Sequence, residues 1–208
     1  MKEQELNRLK NMLEIEDKLY SEGYNFVCGV DEAGRGPLCG PVVAAAVILP
    51  KDEYIEGVND SKKLTEKKRE KLYDDIMMKA VAASIGISDV DVIEKVNILN
   101  ATKLAMKQAI EKLSIKPDYV LIDGNQMIDI NIKAETVVSG DAKSESIAAA
   151  SIIAKVTRDR MLIEFDKKYP EYGFAKHKGY GTKSHIEAIQ KYGLTDIHRP
   201  SFCKKFVK

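Results

Sequence analysis

Four acidic residues of this 208-residue chain stand where a folded scaffold presents chemistry: Asp31, Glu32, Asp123 and Asp141. Asp31 and Glu32 follow an apolar stretch, Phe26 to Val30, that reads as a strand. Asp123 follows a second such stretch, Tyr119 to Ile122, and Asp141 lies just before a long helical pattern. In open α/β sheets, sites form beyond the carboxyl ends of strands, so two strands that each end in a carboxylate can converge there. Mg²⁺ and Mn²⁺ are hard cations that prefer oxygen ligands. Two such ions roughly 3.5–4 Å apart can activate a water and stabilise the leaving oxygen of a phosphodiester. Clustered carboxylates repel one another unless a cation offsets their charge. An assembled cluster therefore implies metal.

Taken singly, each acid has a plainer reading. Asp123 before Gly124 suits a turn. Asp141 suits a helix N-cap, although position 144 is Ser and a full capping box is missing. Consecutive strand residues point to opposite faces. The pattern therefore predicts that Asp31 or Glu32 lies past the strand end, where Ala33-Gly34-Arg35-Gly36 bends the backbone.

The elements that must carry these residues follow from periodicity. Residues 2–20 place Leu6, Leu9, Met12, Leu13 and Leu19 among charges, an amphipathic helix. The β-branched run Val42 to Leu49 predicts a strand buried on both faces. Thr65 is an N-cap candidate for a helix carrying Leu72, Tyr73 and Ile76. Val81 to Ile87 reads as a strand, residues 89–113 as two helical patterns and residues 132–138 as a last β-like stretch. From about Lys143 to Lys167 runs the longest helical pattern, whose first half is small and apolar nearly all round and so should be buried. A Gly-rich segment, His177 to Lys183, precedes a short helix around His185 to Lys191. This order predicts an α/β fold, a sheet of about five strands flanked by helices. It does not set the strand order.

Composition narrows the class. Hydrophobic residues make up 44% and charged residues 31%, which argues against long disorder. The net charge of +1 excludes a uniformly basic nucleic-acid binder. Lysines nevertheless cluster at Lys62, Lys63, Lys67, Lys68 and Lys71, at Lys176, Lys178 and Lys183, and at Lys204, Lys205 and Lys208. Such runs suit a solvated face or a local basic groove. Cys28, Cys39 and Cys203 form no CxxC pair and are expected to be reduced and buried. His177, His185 and His198 lack zinc-ligand spacing and are expected in the groove or on the surface. The polar start and the lack of a membrane-length apolar run lead to the expectation of a cytoplasmic protein.

The segment Val30-Asp31-Glu32-Ala33-Gly34-Arg35-Gly36-Pro37-Leu38-Cys39-Gly40-Pro41 closely resembles the first signature block of the ribonuclease HII family. Four further blocks follow in order: Asn59 to Leu64, Leu121 to Asn125, Gly140-Asp141 with Ala148 to Asp159, and His177 to Thr182. Five ordered blocks over roughly residues 25–200 leave little room for chance. The resemblance implies a ribonuclease H-like mixed sheet with a C-terminal helical extension, over residues 25–208; the N-terminal helical extension, 1–24, falls outside it. By position, the resemblance implies that Asp31, Glu32, Asp123 and Asp141 hold two divalent ions, Mg²⁺ or Mn²⁺. Gly34, Arg35 and Gly36 would read 2′-hydroxyls, and Tyr180 would pack on the DNA-side sugar of an RNA–DNA junction. Lys62 is a candidate phosphate contact. The physics agrees: a 2′-OH both donates and accepts, and glycine lets the backbone approach it. The related type 3 enzymes carry Lys in place of the loop Arg and a longer N-terminal domain, so Arg35 and the short extension favour type 2. Cys39 departs from the small residue often found there, with no consequence expected.

The implied reaction is hydrolysis of the RNA strand of RNA–DNA hybrids, including 5′ of single ribonucleotides embedded in duplex DNA, leaving 5′-phosphate and 3′-hydroxyl ends. The implied partners are RNA–DNA hybrid and ribonucleotide-containing duplex DNA, with no membrane and a monomeric chain. Two other readings stay open at this stage: a DNA nuclease of the same fold, such as a junction resolvase, and a binding module without chemistry.

Overall fold

The computed structural model describes residues 3–51 and 53–207. Residue 2 of the expected first helix and Lys208 of the last lysine run lie outside the described residues. Five strands form one mixed sheet: β1 (Val27–Ala33), β2 (Val42–Ile48), β3 (Ala82–Ser88), β4 (Tyr119–Asp123) and β5 (Lys133–Val137). Their order is β3-β2-β1-β4-β5. β2 runs antiparallel to β1 and β3, whereas β1, β4 and β5 are mutually parallel. The five expected strands are all present, with ends shifted by at most one residue except at the end of β1. The one shift that matters is at β1, which continues through Asp31 and Glu32 to Ala33.

The helices are α1 (Glu3–Met12), α2 (Glu14–Ser21), α3 (Glu66–Lys79), α4 (Val90–Glu111), α5 (Glu145–Lys168), α6 (Phe174–His177), α7 (Lys183–Tyr192) and α8 (Pro200–Cys203). The single helix expected over 2–20 is two, broken at Leu13. The break has a packing reason. Leu9 and Met12 join the core under α5 and α3, while Leu19 joins a separate cluster with Val27, Leu121 and Ile147. One straight helix could not reach both. Two helical patterns were expected in 89–113, and α4 is bent in that way, with Asn97 at a φ of 69°. Thr65 and Ser144 cap α3 and α5 through their hydroxyls.

The two faces of the sheet bury different cores. Ala45 and Val47 of β2 face α5, α3 and α1; Ala44, Ala46 and Ile48 face α4. All seven residues of β2 are buried, as a strand covered on both sides requires. α5 lies on β1 at backbone contact: a Cβ added to Gly29 would sit 2.1 Å from the carbonyl carbon of Ser146. No side chain other than hydrogen fits there.

The N-terminal helices are tied to α5 by buried acids. Glu16, 1% exposed, accepts from the hydroxyls of Ser144 (2.6 Å) and Ser146 (2.7 Å) and from the amide of Ser146 (3.2 Å). A carboxylate at a helix N-terminus meets unpaired amides and the positive end of the helix dipole. Glu145 is also fully buried and accepts from the Ile55 amide at 2.7 Å. Burial pushes its carboxyl up to about 7.

Two outcomes follow. Gly29→Ala should lose about 3 kcal/mol or more in denaturant unfolding, because backbone rather than a flexible side chain blocks the new methyl. For Glu145, a folded carboxyl held above its unfolded value makes the native state bind the extra proton between about pH 4.5 and 7. Its contribution to stability therefore falls as pH rises through that window. Glu145→Gln keeps an acceptor for Ile55 and should gain on the order of 2 kcal/mol over the parent above pH 7, and almost nothing below pH 4.5. Thermal unfolding at pH 5 and pH 8 measures the difference.

Candidate active site

The site sits where β1 and β4 end. Their parallel pairing stops at Val30 with Ile122, so Asp31 and Asp123 come next at the open edge. The expectation that Asp31 or Glu32 lies beyond the strand is corrected: both are within β1 and occupy opposite faces. Gly29 lies under α5, so Asp31, two residues on, faces the same helix. Val30 belongs to the α4 core, and Glu32 follows it to that side, into a small cleft with Thr102, Met106, Asp123 and Asn125. The two acids flank one strand end instead of one face, and Asp123 on the neighbouring strand bridges them.

Asp141 is not a helix cap. It lies in a 3-10 turn, Gly140–Ala142, and the cap of α5 is Ser144, three residues later. Its carboxylate instead faces Asp60 and Lys62. The same turn reaches back to β4, where the Gly140 amide donates to Asp123 Oδ1 at 2.7 Å. The site's electrostatics are those of crowded acids. Burial pushes the Asp31 carboxyl well up, and repulsion from Glu32 and Asp123 adds to it. Burial likewise raises Glu32, against the pull of Arg35, whose Nη1 lies 3.3 Å from Glu32 Oε1. Asp141 is raised by burial and then by Asp60 and Asp123.

The structure brings the other expected residues to the same rim. Lys62, on a 3-10 turn over Ser61–Lys63, holds its ammonium 3.9 Å from Asp141 Oδ2. Tyr180 is half exposed, and a Cβ placed on Gly36 would lie 3.8 Å from its ring. Gly34 needs its missing side chain twice over: its φ is +98°, and a Cβ there would meet Arg158 Nε at 2.1 Å. The amides of Gly34, Arg35 and Gly36 have no acceptor among the described residues.

Some residues at this site carried no role in the sequence reading. Asp60 caps the Ser61–Lys63 turn and adds a fifth acid beside Asp141. Ser61 and Ser151 share a 2.9 Å hydroxyl contact that seats the turn on α5, next to Asp31. Arg158 and Arg199 are fully buried beneath the Gly34–Pro41 loop. The serine of Asn59-Asp60-Ser61 was visible in the sequence, but its partner lies 90 residues away. The histidines correct another expectation. His177, His185 and His198 are buried, not in the groove or on the surface. His177 and His185 stack at 4.3 Å, and Phe174 packs against all three. The three cysteines are free and buried as expected.

The family model described as ribonuclease HII matches residues 28–205. The chain belongs to the ribonuclease HII family. It is 62% identical over 205 residues to a ribonuclease HII of Acetivibrio thermocellus, covering 99% of this chain and 80% of the relative. It is 56% identical over 202 residues to that of Caldicellulosiruptor bescii, covering 97% and 98%. The ribonuclease H2 crystal structure from Pyrococcus horikoshii OT3 superposes with a TM-score of 0.73 at 31% identity, over 88% of this chain and 97% of that one. The family makes the chain a ribonuclease H enzyme that acts on RNA in RNA–DNA hybrids. No helix among the described residues is long and apolar enough to cross a membrane.

Crowding of acids has a measurable signature. Asp31→Asn removes one buried charge from between Glu32 and Asp123 and should raise the unfolding temperature in EDTA by a few degrees, about 1–2 kcal/mol. A lower unfolding temperature would show that the hydrogen bonds of Asp31 outweigh the repulsion.

Proposed function

We propose that this ribonuclease HII family member cuts the RNA strand of RNA–DNA hybrids and also cuts 5′ of single ribonucleotides embedded in duplex DNA. It does so with two divalent ions, Mg²⁺ or Mn²⁺, held by Asp31, Glu32, Asp123 and Asp141. The observation that carries this reading is the Gly34–Gly36 loop, which starts two residues after Glu32 with three amides free of acceptors. Backbone donors at that place suit a 2′-hydroxyl beside the bond to be cut.

The four carboxylates fit hard cations by donor type. Three of them are pushed up by burial and by neighbouring acids, a cost that a bound cation removes. Among the described residues no three His, Cys, Asp or Glu side chains stand close enough together, as placed, to hold an ion. When bound, a pair of such ions activates a water for in-line attack on phosphorus and stabilises the departing 3′ oxygen, which gives 5′-phosphate and 3′-hydroxyl ends.

The chain's own residues supply the rest. Arg35 is a permanent cation at the rim, 3.3 Å from Glu32 and half exposed, placed to meet a phosphate. Lys62, mostly exposed, offers a second such contact beside Asp141. The half-exposed ring of Tyr180 offers an apolar face to the sugar on the DNA side of a junction. Residues 25–208 form the catalytic unit in this reading, and 1–24 an extension that braces α5 through Glu16. The three unpaired, buried cysteines suit a reducing cytoplasm, and the chain is read as a monomer.

The test is a DNA duplex with one ribonucleotide beside an all-DNA duplex, in Mg²⁺ or Mn²⁺. The expected product is a cut on the 5′ side of the ribonucleotide, lost in EDTA and lowered at least about 10³-fold in Asp31→Asn. Cutting confined to long hybrids would remove the junction role from Arg35 and Tyr180. Strong cutting of the all-DNA duplex would move the assignment to a DNA nuclease.

A further inference from the structure

Two arginines far apart in sequence meet under the loop that follows the catalytic strand. Arg158, on α5, is 1% exposed, and Arg199, just before α8, is 0% exposed. Neither pairs with a carboxylate among the described residues. Arg199 donates to the carbonyls of Gly34 (2.6 Å), Arg35 (3.0 Å), Pro37 (2.8 Å) and Gly40 (2.7 and 3.0 Å). Arg158 donates to those of Cys39 (2.9 Å), Pro41 (3.0 Å) and Lys178 (2.9 Å). Leaving two cations buried without counter-ions is costly, and here main-chain carbonyl dipoles are what offset it. A planar fork of five donors suits that task; an ammonium does not.

The bonds have a directional consequence. With the carbonyls of Gly34 and Arg35 committed to Arg199, the amides of residues 34–36 are the groups left without acceptors. The clamp also spans both substrate-facing segments. Arg158 holds Lys178 O, and the Leu38 amide donates to Gly179 O at 2.8 Å, so the turn carrying Tyr180 is tied to the loop carrying Arg35.

We propose that Arg158 and Arg199 are positioning residues for substrate selection. They fix the carbonyls of the Gly34–Pro41 loop inward, and they set the spacing between that loop's free amides and Tyr180. This rests on the reading that the loop and Tyr180 recognise an RNA–DNA junction. The pair touches no reacting atom, so its effect runs through recognition. Variants should raise KM for a duplex with one ribonucleotide and erode the preference for that duplex over a continuous hybrid, more than they lower kcat.

The experiment compares Arg199→Lys, Arg158→Lys, Arg199→Met and Arg158→Met with the parent, each first checked for cooperative thermal unfolding. The lysine variants keep charge and stem but replace the fork with a single ammonium. They are expected to fold and to raise KM on the single-ribonucleotide duplex about tenfold, with the preference ratio falling alongside. The methionine variants, where folded, should lose more than the lysine variants. Folded variants with unchanged KM and unchanged preference overturn the proposal, and so does failure of all four to fold, which would leave the pair a structural role only. If the parent itself shows no cleavage at a single ribonucleotide, the underlying reading fails and the clamp falls with it. The two failures are told apart because one appears in the parent and the other only in the variants.

Discussion

The backbone of α5 rests directly on β1 at Gly29, and that contact fixes the helix whose residues reach both the Ser61 turn and the Gly34–Pro41 loop. With no side chain between them, helix and strand cannot slide without collision. The apolar first half of α5, with Ala148, Ala149 and Ala150 fully buried, extends the close approach along the sheet. Once α5 is fixed, Ser151 comes beside Asp31 and Ser61, and Arg158 comes under the Gly34–Pro41 loop. One strand therefore supplies two acids, and one helix holds the turn and the loop on either side of them.

The acids themselves oppose this arrangement. Burial and mutual repulsion raise Asp31, Glu32 and Asp141 together. Partial relief comes from groups that border the cluster: Arg35 against Glu32, Lys62 against Asp141 and the Gly140 amide against Asp123. Lys62 is largely exposed and Arg35 half exposed, so neither ion pair is locked in place by burial. The site is thus held by a rigid frame but closed by movable charges.

Around it, several buried charged groups are held by uncharged partners, whereas Asp159 is paired with Lys155 at 2.6 Å. Glu16 meets the start of α5, Glu145 meets Ile55, and Arg158 and Arg199 meet loop carbonyls. The histidine stack belongs to the same pattern: His185 bonds Tyr180 O at 2.9 Å, and His177 accepts from the Gly179 amide at 3.2 Å. Most of these bonds are buried, where a hydrogen bond is electrostatically stronger than in water, so segments with little regular structure are held as well. The N-terminal and C-terminal regions brace opposite ends of α5 and its loop.

What the amino-acid sequence determined by itself was the class of chemistry and the elements. Apolar runs, helical periods and caps such as Thr65 depend on neighbours within a few residues, so the strands and helices could be read, as could the acids at their ends. The five ordered blocks identified the family for the same reason, since each is a contiguous string. The tertiary structure alone decided what depends on distant partners. It set the strand order, and it split the first helix so that Leu9 and Leu19 reach different cores. It carried β1 through Asp31 and Glu32, because β2 continues the pairing to Ala33 with Val43. It buried the three histidines against Phe174, and it brought Arg158 and Arg199 to carbonyls more than a hundred residues away. A guanidinium bonded to main-chain oxygens leaves no trace in the identity of the residues it holds, since every residue has a carbonyl.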